Sequence, residues 1–295
     1  MRLNKILWAT DGSKESRGAL RWAEMFARRF GAKVIAVHVV EKSDIARFGA
    51  SDQLKEEMSH GERDLVAKES KRLVRMANIL EQKGIIEVET RVAEGIPYQE
   101  IIKAAQKEGV DLIALGKRGL NFWARMTLGS TTTRVLRQVR LPVLTVRAWT
   151  KKPVVKRIVV PSSFAPTDNA ALETALDLGR MLGASVLFLH IIEAHKSWDT
   201  AKGGFMGRRR KLDIEKLDKI VAMVSPQKRK DVPVSTRVKA FPRPWSGILN
   251  FVRDERVDLI VMCTHARKGV PRLFLGSVAE RVITEASCPV ITVRP

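Results

Sequence analysis

The chain has 295 residues, of which 45% are hydrophobic and 29% charged, a composition typical of a folded globular protein and unlike a disordered chain. No apolar run approaches the roughly 18 residues that cross a bilayer, and the N-terminus lacks a secretory signal pattern, so we expect a cytoplasmic protein without a membrane span. The formal net charge of +21 attracts phosphate-bearing polyanions, and two cysteines, Cys263 and Cys288, are too few for a disulfide framework.

Short apolar runs alternate with helical patterns along the first half of the chain. In the first helical pattern, apolar residues such as Trp22 and Phe26 recur at intervals of three and four residues, which gives one apolar face. In chain order we predict a strand at 4–10, a helix at 16–30, a strand at 33–39, a helix at 51–83, a strand at 86–92, a helix at 97–108, a strand at 111–115, a helix at 130–139 and a strand at 142–147. Strands that are apolar throughout are typical of a parallel sheet covered on both faces, so the alternation predicts a doubly wound α/β fold.

The second half of the chain repeats the first. KILWATDGS matches KRIVVPSSF, and AKVIAVHVV matches ASVLFLHII, which places His38 opposite His190 at an offset of 152 residues. VDLIALGKRG matches VDLIVMCTHA and LPVLTV matches CPVITV, both at an offset of 147. We therefore predict two domains, at residues 1–149 and 153–295, each with its own parallel sheet.

The ligand site of a doubly wound sheet lies beyond the carboxyl ends of its strands. In the first repeat these ends lead into the loops at Ala9–Ser13, at Val39–Lys42 and after Leu115. The candidate pocket is therefore bounded by these three loops.

The stretch LGKRGLNFWARMTLGSTTT contributes most of the chemistry of this pocket. Gly116 and Gly119 let a ligand approach the backbone, while Gly129 and Ser130 open a helix whose first-turn amides favour an anion. Lys117 adds positive charge. The stretch matches neither the Walker phosphate loop nor the dinucleotide fingerprint, so it predicts a phosphate cradle, and a flexible loop ending in a serine cap stays open as the alternative.

Several ordered motifs resemble the universal stress protein family, in its UspA-like superfamily, and the resemblance covers the whole chain as a tandem member. Gly116-x2-Gly119-x9-Gly129-Ser130 has the spacing of the ATP-binding branch, and ATDGS, HVV, LPVLTVR and the C-terminal THARKGVPRLFLGSVAERVITEASCPVITVRP also fit the family. The resemblance implies two tandem flavodoxin-like or Rossmann-like open parallel five-stranded sheets that pair through their last strands as an internal pseudo-dimer. A further homodimer is compatible with it.

The resemblance also implies ATP, or another adenine nucleotide, in the first repeat. Asp11 would hydrogen-bond the nucleoside and the backbone of Val39 would contact the adenine. The glycines, Ser130 and the neighbouring threonines would hold the ribose and phosphates, with a magnesium ion as an optional companion for which no ligand cluster is encoded. The full set implied for ATP binding is Ala9, Thr10, Asp11, Val39, Leu115, Gly116, Lys117, Gly119, Gly129, Ser130, Thr131 and Thr132.

The second repeat departs from the ATP-binding motif. Ser163 stands where the first repeat has Asp11, and Cys263 and Ala266 stand where it has its two upstream glycines. A serine lacks the charge of a carboxylate and the two side chains narrow the approach to the backbone, so we expect little or no ATP binding there. The degenerate pocket, which could accept a different small ligand, comprises Ser163, Ile191, Cys263, Ala266, Gly276 and Ser277.

The leading functional expectation is a stress-response ATP-binding module, non-catalytic or very slow in hydrolysis, whose nucleotide changes a surface seen by an unidentified protein partner. No catalytic residue or metal site is assigned, because lone histidines such as His38, His190 and His265 have no ligands at metal-binding spacing. The alternatives are a weak ATPase or autophosphorylating protein and a small-ligand or polyanion binder. For nucleic acid the only dense basic cluster is GRRRK at 207–211.

Overall fold

A computed structural model of the protein describes residues 3–41, 52–82, 87–117, 129–148, 153–194, 204–264 and 275–294. The first repeat contains β1 (Lys5–Thr10), α1 (Lys14–Phe30), β2 (Lys33–Val40), α2 (Asp52–Gln82), β3 (Val88–Glu94), α3 (Pro97–Glu108), β4 (Leu112–Lys117), α4 (Ser130–Gln138) and β5 (Val143–Arg147). Each element predicted for this repeat is present, with ends that differ by at most two residues.

The second repeat has the same order of elements with one additional short helix. It contains β6 (Arg157–Ser162), α5 (Asp168–Leu182), β7 (Ser185–Glu193), α6 (Gly204–Met223), α7 (Pro226–Arg229), β8 (Val234–Phe241), α8 (Pro244–Asp254), β9 (Leu259–Cys263), α9 (Ser277–Glu285) and β10 (Val290–Val293). Among the described residues, no helix combines the length and the apolar character needed to cross a membrane.

The two five-stranded halves join into one ten-stranded sheet with the order β3-β2-β1-β4-β5-β10-β9-β6-β7-β8. Strands within each half are parallel, and the halves meet where β5 and β10 pair antiparallel, with Leu144 opposite Ile291. Thr145 Oγ1 donates to the Val290 carbonyl at 3.2 Å, and Thr292 Oγ1 donates to the Val143 carbonyl at 3.3 Å. The predicted pairing of the repeats through their last strands is confirmed.

Arginines at the ends of the two central strands cap helices of the opposite repeat. Arg147, which ends β5, donates from Nη2 to the Thr284 carbonyl in the last turn of α9 at 2.8 Å. Arg294, just after β10, donates from Nη2 to the carbonyls of Leu136 and Arg137 at the end of α4, at 2.7 and 2.6 Å. A cation at a helix C-terminus satisfies carbonyls that have no partner within the helix and interacts favourably with the helix dipole.

The sheet is covered on both faces, as its apolar strands predict. One buried cluster lies under α1, α2, α5 and α6, and the other lies under α3, α4, α8 and α9. Trp22 and Phe26 of α1 are buried in the first cluster, which confirms the apolar face inferred from their spacing. Each cluster contains residues of both repeats, so the core on either face of the sheet is continuous across the junction of β5 and β10.

Candidate functional site

The strand order places the candidate site between β1 and β4. The chain leaves β1 toward β2 on one side and later returns to β4 on the other, so this is the point where the direction of winding reverses. Ala9 and Thr10 end β1, Leu115 lies near the end of β4, and all three are buried. They therefore form the floor of the edge from which the functional loops extend.

The loop after β1 presents an ionised carboxylate to solvent. Asp11 is exposed, and its Oδ1 accepts a hydrogen bond from the Ser13 amide at 3.0 Å. Burial would raise the pKa of Asp11, but hydrogen bonds from Ser13 and Ser16 outweigh it and hold the pKa below its usual value. Gly12 has φ of 76°, a conformation that favours glycine, and its amide donates to Thr10 Oγ1 at 3.1 Å.

Gly116 is a glycine because α1 packs against it. The sequence-based explanation, that a ligand approaches the backbone there, is therefore corrected. It lies inside β4 and does not begin the loop. A Cβ at this position would lie 2.5 Å from the Glu15 carbonyl carbon and 2.6 Å from the Ser16 amide nitrogen, both backbone atoms of α1. The missing side chain therefore allows α1 to approach the strand, whereas close approach by a ligand was the sequence-based explanation.

The N-terminus of α4 lies as predicted, with Gly129 as its N-cap residue. Ser130 is exposed and Thr131 half-buried, but Thr132 is buried and its Oγ1 donates to the Gly116 carbonyl at 3.2 Å. Thr132 therefore ties the first turn of α4 to the end of β4. The first-turn amides of a helix have no acceptors within the helix, so together with Ser130 they are the groups of this candidate site that suit an anion.

Lys117 does not serve this site, contrary to the sequence-based prediction. Only 1% of Lys117 is exposed, and its Nζ donates to the carbonyls of Ile283 at 2.5 Å and Ala286 at 3.1 Å, at the end of α9. Burial, and next the charge of neighbouring Arg147, lowers the pKa of Lys117 to about 7. The lysine therefore belongs to the contact between the repeats, and its charge is not added to the phosphate cradle.

Glu69 and Arg72 of α2 complete the described rim of the site, and neither was identified from the sequence. His38 Nδ1 lies 2.8 Å from the Thr10 carbonyl, and its Nε2 lies 4.0 Å from Glu69 Oε2. The Arg72 guanidinium packs against Gly12, where a Cβ would lie 2.7 Å from Nη2. Charged residues occur along the whole of α2, so nothing in its charge pattern distinguished the two side chains that face the loop.

Part of the predicted site lies outside the described residues. Gly119 falls between 117 and 129, and Ala266 falls between 264 and 275. Val39 is described: it is half-buried near the end of β2 and pairs with Ala93 of β3. The predicted contacts of Gly119 and Val39 with a nucleotide stay predictions, as does the narrowing of the second pocket by Ala266.

The matching loop of the second repeat is closed by its own carboxylate. Asp168 occupies the position of Ser16, and its Oδ2 accepts hydrogen bonds from Ser162 Oγ at 2.9 Å, the Ser163 amide at 2.8 Å and the Ala165 amide at 3.1 Å. Burial raises the pKa of Asp168, and these hydrogen bonds only partly offset it. The loop amides that could bind an anion therefore already have an acceptor inside the protein.

Phe164 fills the position of Gly12. It adopts φ of 63°, which is costly for a side chain of this size, and its ring lies 4.1 Å from that of His190 between centroids. Lys216 Nζ lies 5.5 Å from the centre of the Phe164 ring. The pocket mouth of the second repeat thus carries a tilted pair of aromatic rings where the first repeat carries a glycine.

Cys263 takes the place of Gly116, and α5, the helix beside it, begins later than α1 does in the first repeat. The Cys263 thiol donates to the Thr167 carbonyl at 2.8 Å, and α5 begins at Asp168, two positions later than α1 in the repeat alignment. Burial raises the pKa of Cys263 to about 12, and the nearby Asp168 charge adds to this, so the thiol is a poor nucleophile. Ile191 is buried.

Gly276 and Ser277 begin α9 as Gly129 and Ser130 begin α4, and Ser277 is exposed. Within the described part of the chain, no three His, Cys, Asp or Glu side chains converge to hold a metal ion. The two repeats thus share a helix N-terminus at the same place and differ in the loop that faces it.

Comparison with known proteins shows the family. The universal stress protein family model matches residues 2–147 and again 155–294. A universal stress protein of Mycolicibacterium smegmatis is 26% identical over 303 residues, covering 98% of this chain and 97% of its own. One from Methanocaldococcus jannaschii is 35% identical over 143 residues, which is 48% of this chain and 81% of its own.

The fold has a full-length counterpart. The crystal structure of a universal stress protein from Archaeoglobus fulgidus aligns with a TM-score of 0.72 at 23% identity and covers 100% of this chain and 99% of that one. The chain belongs to the universal stress protein family, with two copies of the family unit in tandem.

Proposed function

We propose that this protein is a stress-response regulator that binds one ATP in its first repeat and none in its second. Nucleotide binding there changes the surface that the loops around β1 and β4 present to a protein partner. The observation that carries the proposal is the contrast between the loops at Asp11 and Ser163. The first leaves an exposed carboxylate, and the second has its amides occupied by Asp168.

The exposed carboxylate suits the nucleoside. A carboxylate held ionised accepts hydrogen bonds strongly, and ribose hydroxyls and the adenine amino group are donors of the right kind. Asp11 has the lowered pKa that this role requires, whereas the buried Asp168 already accepts hydrogen bonds from the residues of its own loop. The contact with ribose or adenine therefore falls to the first repeat.

The start of α4 suits the phosphates. Its free amides and the positive end of its dipole favour an anion, Gly129 adds no Cβ, and Ser130 offers an exposed hydroxyl. A magnesium ion would lie on the phosphates and take most of its ligands from them and from water, which requires few protein groups. ATP then spans from the loop at Asp11 to the first turn of α4.

The described groups favour holding the nucleotide over hydrolysing it. The lowered pKa of Asp11 makes it a weak base. A base matched to the operating pH is what positions and activates water in an efficient hydrolase. We therefore propose that the protein responds to ATP by binding it, with turnover slow or absent.

Replacing Asp11 with alanine tests the assignment, with the matched Ser163→Ala variant as its control. Loss of a charge-assisted hydrogen bond should weaken ATP binding by about 10- to 100-fold, seen as a smaller ATP-induced rise in Tm. Ser163→Ala should respond to ATP as the wild type does. An Asp11→Ala protein with an unchanged response, or a weakened response in Ser163→Ala, would place the nucleotide elsewhere.

A further inference from the structure

One part of the second repeat carries a third of the net positive charge of the chain. Residues 204–241, which run from α6 through α7 to β8, contain 11 basic and 4 acidic residues, a net charge of +7. Residues 52–94, the matching segment from α2 to β3, contain 8 basic and 10 acidic residues, a net charge of −2. Since the two segments have the same place in the same fold, the fold does not require the difference.

The exposed positive charges of α6 lie on one side of the sheet. α6 packs against β8, the last strand, where Thr236 and Val238 face the helix and its core cluster. Arg237 and Lys239 alternate with these residues and therefore point to the other side of the sheet. We call the exposed basic residues of α6 the basic face, whose members are Arg208, Arg209, Arg210, Lys211, Lys216 and Lys219.

Two of the four acidic residues of the segment are used internally. Asp213 is fully buried and accepts hydrogen bonds from Arg209 Nε at 2.8 Å and Lys216 Nζ at 3.4 Å. Asp218 accepts a hydrogen bond from Thr236 Oγ1 at 2.7 Å, which joins α6 to β8. With six basic and three acidic residues, α6 keeps a net charge of +3 after these pairs are counted.

We propose that the basic face binds the phosphate backbone of nucleic acid without regard to sequence. The 20 residues of α6 extend for about 30 Å, roughly the length of one turn of duplex, along which DNA carries a charge about every 1.7 Å. Arginines make up three of the six residues of the basic face, and the guanidinium fork matches phosphate oxygens. This binding is separate from the nucleotide site and does not depend on it.

A membrane surface fits the basic face less well. A helix that lies in a bilayer interface needs a continuous apolar side to insert, and Leu217 of α6 is fully buried in the protein core with Ile214 and Val221 packed beside it. Among the side chains of α6 that the structure describes, the large apolar ones that are exposed, Leu212 and Met223, lie 11 residues apart, about 16 Å along the helix axis. They are separate contacts and form no strip.

Binding of a fluorescent duplex of arbitrary sequence, followed by anisotropy over a range of salt concentrations, tests the proposal. The triple variant Arg208→Gln, Lys211→Gln, Lys219→Gln should bind at least 10-fold more weakly, and its salt slope should be smaller by about 3, because each lost phosphate contact removes about 0.9. The control carries Lys68→Gln, Lys71→Gln and Arg75→Gln, which remove three exposed charges from α2. It should bind like the wild type, as should Asp11→Ala.

Three results would overturn the proposal. The first is an absence of duplex binding by the wild type at about 0.1 M salt, where backbone contacts are still strong. The second is an equal loss of affinity in the two triple variants, which would indicate attraction by net charge alone. The third is binding to vesicles containing phosphatidylserine without binding to duplex, which would assign the basic face to a membrane. Matching circular dichroism spectra would show that all variants are folded.

Discussion

Replacing Gly116 with alanine is expected to lower the free energy of unfolding by about 3 kcal/mol, at the upper end of what overpacking a core costs. A Cβ there would lie 2.5 Å from the Glu15 carbonyl carbon, and backbone cannot move aside as the end of a flexible side chain can. α1 would have to shift away from β4 or the strand would have to bend. Urea unfolding of the wild type and the variant measures the difference.

The second repeat supplies the control for this substitution. Cys263 already carries a Cβ at the matching position, and α5 begins two positions later than α1. Cys263→Ala adds no atom and removes only the thiol that donates to the Thr167 carbonyl, so we expect a loss of about 1 kcal/mol. Equal losses in the two variants would show that Gly116 is not held to glycine by the contact with α1.

Stability should rise with pH between about 7 and 9 because of Lys117. The pKa of Lys117 is about 7 in the folded protein, whereas its ordinary value is 10.5, so the unfolded chain binds an extra proton across this range. A proton bound only by the unfolded state favours unfolding, and that advantage decreases as pH rises. The free energy of unfolding should increase by on the order of 2 kcal/mol over these two pH units.

The pH range is chosen to separate Lys117 from the cysteines. Burial raises the pKa of both Cys263 and Cys288 to about 12, so the unfolded thiols, at 9.0, lose protons first and stability falls as pH rises above that value. Below pH 9 the increase in the free energy of unfolding that Lys117 causes is larger than the decrease that the two cysteines cause. Lys117→Met, which keeps much of the volume and removes the charge, should flatten the profile.

Lys156→Met is the control for Lys117→Met, because Lys156 is exposed just before β6 and should leave the slope as it is in the wild type. A Lys117 side-chain resonance that titrates near pH 7 would support the assignment independently of any change in stability. If the free energy of unfolding rose with pH equally steeply in the wild type and in Lys117→Met, the assignment of this pH dependence to Lys117 would be wrong.

The sequence was sufficient for the parts of the structure that depend on local periodicity. The pairing of β5 with β10 was implied by the family resemblance. The order of strands and helices and the start of α4 at Ser130 were predicted from apolar runs and the internal repeat. These features follow from the spacing of apolar residues along the chain, and the same spacing in two repeats supports each interpretation twice.

The roles of individual site residues depended on contacts between distant segments. A lysine beside two glycines suggests a phosphate ligand, yet Lys117 extends to carbonyls of α9 some 170 residues later in the chain. The burial of a lysine is uncommon and its helix partner cannot be identified from spacing. Likewise Asp168, which closes the second loop, matches a serine in the first repeat, and its hydrogen bonds follow from how the loop folds around it.

The stoichiometry of ATP binding tests the central claim most directly. Titration of the wild type with ATP and magnesium in a calorimeter should give one site per chain, and Asp11→Ala should remove or greatly weaken that site. Two sites per chain would mean that Asp168 and Phe164 do not close the second repeat. No binding by the wild type would contradict the assignment of ATP to the loop at Asp11 and the start of α4.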